Sequence, residues 1–308
     1  MLATHFPGIR TIVLDRNYGF TGGYNRAMAR LLSGPGPRPE YLLLLNSDIL
    51  VEPGWLDRLT DYMDTHPECG ICGPKLLALT HKDGAYIQTD RLEYAGAAGG
   101  YIDRFGYPFC RGRVLSRTDV DGPGYSSVKD VLWVSGACLM TRASLWEESG
   151  GLDERFFAHM EEIDYCWRAQ LAGHRVRVVP SSRVWHLGGG TLPRTSATKL
   201  RLNYRNGLLL LDNNLAPTIG RFKARVRIIT RLVLDDCSAL VYLLVGKTDF
   251  CGSVFRAHRE YRRLRKVPHK AVSRNGDVRG VASVCIILQS LLRGERIFDY
   301  LRRYEDSH

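Results

Sequence analysis

Residues 156–190 constrain the fold more than any other stretch of this chain. They read FFAHMEEIDYCWRAQLAGHRVRVVPSSRVWHLGGG. Glu161, Glu162 and Asp164 gather where a helix should start, and acids at that end complement the helix dipole. Gly173 is placed to end the helix. Residues 175–179 (RVRVV) then predict a strand. Val184, Trp185 and His186 follow and run into three glycines.

The remaining chain repeats this alternation. Residues 11–14 (TIVL) predict a short strand, residues 17–23 (NYGFTGG) a Gly-rich turn, and residues 24–32 a helix. Pro35, Pro37 and Pro39 make a stiff loop. Tyr41–Leu45 (YLLLL) is continuously apolar, as in a strand covered on both faces. Pro53 suits the first turn of a helix reaching about Thr65. A strand is expected from Cys69 to Pro74, another over residues 131–141 around Gly136, and a short helix over 142–149. Residues 80–130 show weak periodicity and read as an insertion of loops and short strands, suited to a lid or an acceptor contact. Strands alternating with helices predict an α/β domain over residues 1–198, with a mostly parallel sheet flanked by helices. From residue 199 to 308 the pattern becomes Leu-rich, basic and helical, which predicts an appended helical region.

Charge follows the same division. The chain carries a net charge of +11, yet residues 199–308 hold 22 Lys and Arg against 10 Asp and Glu, a net of +12. A one-sided basic excess points to an anionic partner. An anionic membrane surface fits; nucleic acid does not, because no aromatic-basic recognition module is present. No run of about 18 apolar residues exists to span a bilayer. The segment MLATHFPGIR lacks the apolar core of a signal peptide, and the eight dispersed cysteines fit reduced thiols. Cys69 and Cys72 have CxxC spacing without the second pair that a zinc ribbon needs. These readings favour a cytoplasmic protein, peripheral on the inner face of the cytoplasmic membrane.

Two acidic elements carry the chemistry. Asn46-Ser47-Asp48 directly follows the Tyr41–Leu45 strand, and ligands of open α/β sheets gather at such strand ends. Acids opening a helix, then a strand, then a His beside glycines form a second element. Together they suit a metal-dependent transfer site for a nucleotide-linked substrate. Each residue also has a plainer reading. Asp48 can cap the following helix. Glu161, Glu162 and Asp164 can simply serve the helix dipole, with Glu161 and Asp164 on one face and Glu162 turned away. His186 can be a structural histidine, and Gly22 and Gly23 can merely permit a turn.

Five motifs occur in order: NYGFTGGYN, LLLLNSD, WVSGACLMTR, GGLDERFFAHMEEIDYCWRAQLAGHRV and WHLGGG. Over roughly residues 8–215 the chain resembles bacterial glycosyltransferases of family 2, in the branch of rhamnosyltransferases that build surface polysaccharide. The resemblance implies a GT-A fold, a nucleotide-sugar donor, a glycan or lipid-linked acceptor, a divalent metal (Mg2+ or Mn2+) and inversion at the anomeric carbon. It assigns Asp48 to the metal, with Asn46 beside it and His186 completing the shell. It assigns Asn17, Gly22, Gly23 and Asn25 to the donor. The catalytic base falls on Glu162, where the family usually has Asp, so Asp164 and Glu161 stand as neighbours able to take the role. The family's first strand-helix-strand unit is expected to be missing before this chain begins. A degenerate, non-catalytic transferase domain that binds glycan or protein is the alternative reading.

Overall fold

The computed structural model describes residues 2–187, 196–270 and 275–306. Eleven strands are described: β1 (Tyr41–Leu45), β2 (Ile49–Val51), β3 (Cys69–Lys82), β4 (Ala85–Leu92), β5 (Gly100–Ile102), β6 (Pro108–Cys110), β7 (Arg113–Val114), β8 (Arg117–Thr118), β9 (Lys129–Asp130), β10 (Cys138–Arg142) and β11 (Arg175–His186). The helices are α1 (Leu2–His5), α2 (Gly19–Leu32), α3 (Trp55–Thr65), α4 (Ala143–Ser149), α5 (Glu161–Leu171), α6 (Ala197–Ile219), α7 (Arg221–Leu244), α8 (Thr248–Leu264), α9 (Ile286–Arg293) and α10 (Ile297–Asp306).

The main sheet is seven-stranded and mixed, in the order β1-β10-β3-β11-β2, with β4 on β3 and β9 on β11. β3 and β11 pair in parallel from Arg175 opposite Cys69 to His186 opposite Ala78. β10 runs antiparallel to both β1 and β3, so β1, β3 and β11 all point the same way. The expected α/β class holds in a mixed sheet: among the described strands β3 and β11 pair in parallel, β1 points the same way across the antiparallel β10, and β2, β4 and β9 pair antiparallel around them. Helices cover both faces. Leu42 and Leu44 join the core that holds Met28 of α2 and Ile163 and Tyr165 of α5. Leu43 packs on the opposite face, toward Leu59 and Met63 of α3. That double cover explains the unbroken leucine run in β1.

β5–β8 form a separate antiparallel sheet. Phe109 and Val114 of that sheet share a small core with Ile286 of α9 and Ile297, Phe298 and Leu301 of α10. The C-terminal region is helical as expected, and it is tied to the 80–130 insertion: Arg111 pairs with Glu305 at 2.9 Å, and Arg302 with Asp119 at 2.7 Å.

Four local expectations are corrected. Residues 11–14 form no strand; Val13 is 78% exposed, and a β-branched run that gains no ladder or cover stays irregular. α2 begins at Gly19, inside the stretch read as a turn. Residues 131–137 are buried but irregular, and the strand starts only at Cys138, after the Ser135–Ala137 turn. β3 continues through Pro74, which lies opposite Val179, where the β11 register shifts; a proline is tolerated at such an irregularity.

Candidate active site

Three strand ends meet at the carboxyl edge of the parallel core. β1 ends at Leu45, whose backbone is held by Tyr24 of α2: the hydroxyl donates to the Leu45 carbonyl at 3.1 Å and accepts its amide at 3.2 Å. Asn46 donates its amide to the Ala137 carbonyl at 2.9 Å. Asp48 then stands beside His186, the last residue of β11, because β2 pairs antiparallel with β11 and sets Ile49 opposite His186. His186 Nε2 lies 3.3 Å from Asp48 Oδ1, and its Nδ1 lies 3.4 Å from Glu93 Oε1. Burial works against a charge on His186, but Glu93 and then Asp48 outweigh it, and its pKa lies above the ordinary histidine value. The Nδ1 contact lacks hydrogen-bond geometry and leaves that buried atom without a bonded partner. Glu93, 3% exposed, is further fastened by the Ala95 amide.

The donor set bears on metal binding. Among the described residues, no group of three or more His, Cys, Asp and Glu forms a ready shell. Asp48 and His186 instead offer one carboxylate oxygen and one imidazole nitrogen at a partly open edge. Two protein donors fit an ion whose remaining positions are filled by phosphate oxygens and water. The three glycines after Leu187 lie outside the described residues.

The second acidic element sits at the start of α5. The chain approaches it through a tight segment in which Phe157, His159 and Met160 all have positive φ, of 64°, 71° and 70°. Non-glycine residues avoid that region, and such strain persists only where the surroundings enforce it. The enforcement comes from α6. Asn206, fully buried, donates through Nδ2 to the carbonyls of Phe156, Ala158 and His159 at 3.1, 2.8 and 2.6 Å. Arg205 adds a bond to the Phe156 carbonyl at 2.6 Å. Burial, with Lys199 nearby, lowers the pKa of His159 to about 4, so its ring is neutral at physiological pH.

The three carboxylates then divide. Asp164 is fully buried and fully engaged: Arg168 Nε donates to it at 2.7 Å, and Asn213 and Asn214 each donate at 2.8 Å. It ties α5 to α6 through these bonds, which gives the expected reserve base a structural part in this arrangement. Burial, then the neighbouring Glu162, push Glu161 well above the usual carboxylate range. Glu162 is half-buried; burial raises its pKa to about 7, against the opposing pull of the backbone amides at Glu162, Ile163 and Met160. One oxygen on each glutamate, Oε2, has no hydrogen-bond partner among the described residues. Adjacent carboxyls held at different pKa values are what an acid–base site requires, and the one near 7 is poised to accept a proton.

The expected donor contacts of α2 separate likewise. Asn17 Oδ1 accepts the Gly19 amide at 2.8 Å and shapes the helix entry. Gly22 is packed, since an added Cβ would meet Arg26 Nη1 and Tyr18 Cβ at 2.9 Å, whereas Gly23 faces open space. Asn25 is spent on structure. Its side-chain nitrogen donates to the Leu152 carbonyl at 2.8 Å and its oxygen accepts the Leu152 amide at 3.0 Å.

The Ser135–Ala137 turn joins the two acidic elements. A methyl group on Gly136 would sit 3.4 Å from both Glu162 Cβ and the Phe20 ring, while the next residue, Ala137, receives the Asn46 amide. Burial raises the pKa of Cys110 to about 11; Arg113 opposes the rise, and Glu93 and Glu162 add to it. Sequence reasoning missed Glu93, which stands in the patternless 80–130 stretch, and Asn206. A polar Asn-Gly pair directly before four leucines was the available signal for Asn206, because a polar residue inside an apolar helical run needs a buried partner.

Residues 2–207 match the family described as glycosyltransferase like family 2. An N-acetylglucosaminyl-diphospho-decaprenol L-rhamnosyltransferase of Mycobacterium tuberculosis is 28% identical over 211 residues, covering 67% of each chain. The Escherichia coli rhamnosyltransferase WbbL is 26% identical over 60% of this chain and 66% of its own. Among solved structures, GalNAc-T7 with UDP, GalNAc and Mn2+ aligns at 14% identity and a TM-score of 0.45, over 65% of this chain and 35% of that one. A mannosyltransferase of Pyrobaculum calidifontis, solved with GDP-Man and Mn2+, aligns at 10% identity and a TM-score of 0.43, over 84% and 72%.

Proposed function

The chain belongs to glycosyltransferase-like family 2, and we propose that it moves a sugar from a nucleotide-sugar donor to a hydroxyl of a lipid-linked glycan, with inversion. The observation that carries this reading is the pairing of a half-buried Glu162, its pKa near 7, with an Asp48–His186 edge on the other side of one turn. In the reaction the bond from the anomeric carbon to the donor phosphate breaks as the bond to the acceptor oxygen forms. The acceptor hydroxyl is a poor nucleophile, and its proton passes to the half-buried Glu162 carboxylate. Burial and the neighbouring Glu162 push Glu161 well above the usual carboxylate range, which favours Glu162 as the base. Asp48 and His186 would hold a divalent metal, which neutralises charge building on the departing nucleoside diphosphate. Asn46 and the open face at Gly23 border the donor. Asn206 keeps the strained approach to α5 in place, and with it the direction of Glu162.

The named rhamnosyltransferase relatives support rhamnose as the transferred sugar and a polyprenyl-diphosphate-linked N-acetylglucosamine as the acceptor, in assembly of cell-envelope polysaccharide. Action at the inner face of the cytoplasmic membrane follows from that acceptor. The test is nucleoside diphosphate release from a panel of nucleotide sugars with a lipid-linked N-acetylglucosamine acceptor, with product anomeric configuration read by NMR. Transfer with inversion is expected, and Asp48→Ala should abolish both turnover and metal-dependent nucleotide binding. If that variant bound nucleotide and metal as the parent does, Asp48 would lose its role. Glycan binding without turnover of any donor would favour the non-catalytic reading.

A further inference from the structure

α7 has two opposed faces. Ala224, Arg231, Asp235 and Ala239 are buried against the rest of the molecule. On the other side Phe222, Val226, Ile229, Val233, Leu240 and Leu244 recur at helical spacing and are 47–81% exposed. A solvent-facing helix is polar on its outer stripe, and a continuous apolar stripe of this size marks a contact surface. The first two turns add Arg221, Lys223 and Arg225, all exposed, and Arg227 at the margin. The one exposed acid of α7 is Asp236, since Asp235 is buried against Arg231 at 2.8 Å.

We infer that this outer face of α7 docks on an anionic lipid bilayer, lying in the plane of the headgroups. The flanking charge selects that occupant. A second copy on the same stripe would bring four cations per chain to the seam with a single exposed acid to meet them. Lipid phosphates meet every one of those cations while the apolar stripe enters the acyl boundary. Spanning is not an alternative, because no helix among the described residues is long and apolar enough to cross a membrane. α7 is also fixed relative to the site. Arg231 Nη1 donates to the Gly106 carbonyl at 3.1 Å, and α7 packs along α6, which carries the Asn206 clamp before Glu162. Docking through α7 thus holds the transfer site at a set orientation to a membrane-borne acceptor. The inference rests on the lipid-linked acceptor of the proposed function.

The experiment is co-sedimentation of the full chain with vesicles of phosphatidylcholine alone and of phosphatidylcholine with phosphatidylglycerol, at low and high salt. The full chain should bind the anionic vesicles and weaken with salt. The triple variant Val226→Ser, Ile229→Ser, Val233→Ser and the double variant Lys223→Gln, Arg225→Gln should each bind about tenfold more weakly or worse. Both should keep the parent's melting temperature and its turnover on a water-soluble acceptor analogue, since they change only exposed side chains. Variants that bind vesicles as the parent does would overturn the assignment to α7. So would a parent that binds neither vesicle, or a concentration-dependent dimer that the triple variant dissolves, which would make the face a self-interface. Turnover on the soluble analogue separates the two ideas: its presence with failed docking leaves the transfer reading standing, and its absence in the parent removes that reading first.

Discussion

Replacing Glu162 by Gln separates chemistry from stability in opposite directions. Burial lifts the Glu162 pKa from 4.5 to about 7. A carboxyl whose folded pKa is raised contributes stability that is complete below its unfolded pKa and is lost as pH rises through the folded one. The window is therefore between about pH 4.5 and pH 7. A shift of that size corresponds to about 3.5 kcal/mol at most, at about 1.4 kcal/mol per pKa unit, with Glu161 sharing part of it. Gln carries no charge at any pH and escapes that loss. The two proteins should melt alike at pH 5, and Glu162→Gln should melt higher at pH 8. The gain is on the order of 7 °C, at about 2 °C per kcal/mol for a chain of this size. Transfer should move the other way, falling by about 10²–10⁴ because the proton acceptor is gone while donor binding remains. In the parent, transfer should rise with pH through about 7 as Glu162 ionises. Thermal melts at the two pH values and a pH–rate profile measure all three effects. A Gln variant that melts lower than the parent at pH 8, or that transfers sugar undiminished, would refute the placement of a strained, half-buried base at this position.

Other substitutions probe the support around it. Asn206→Leu keeps the volume but removes the two N–H donors shared by three carbonyls and the bond that Oδ1 accepts from Arg205 Nε, for a cost of about 3 kcal/mol at about 1 kcal/mol per lost donor or acceptor; the melting temperature should fall and transfer with it, and an unchanged melt would dismiss the clamp. Asp164→Asn leaves Arg168 buried without its charge partner, a loss of about 3–5 kcal/mol, so low folded yield is expected on denaturant unfolding. A fully stable Asp164→Asn that had lost transfer would instead return a chemical role to Asp164.

Much of the layout was legible in the chain because it depends on local pattern. The period of YLLLL requires a strand covered on both faces, and β1 occupies Tyr41–Leu45. The acids and Gly173 bound a helix, and α5 runs from Glu161 to Leu171. The helical spacing that turns Glu162 away from Glu161 and Asp164 follows from 3.6 residues per turn, and it anticipates that Asp164 faces α6 while Glu162 faces Gly136. Neighbours in space were not legible. Asp48 meets His186 because β2 pairs with β11, and Glu93 reaches the same histidine from the far end of β4. Gly22 and Asn25 look alike as members of a Gly-rich motif, yet their contacts differ: Gly22 is hemmed in by Tyr18 and Arg26 of its own segment, whereas Asn25 bonds the Leu152 backbone more than a hundred residues away. Burial is likewise a property of the assembled layers. A string of residues shows three carboxylates and, one turn after Asp164, the arginine that pairs with it; only the packing of α5 against α6 and the Ser135–Ala137 turn decides that this pair is buried, that Glu161 is pushed well above the usual carboxylate range, and that Glu162 is raised to about 7.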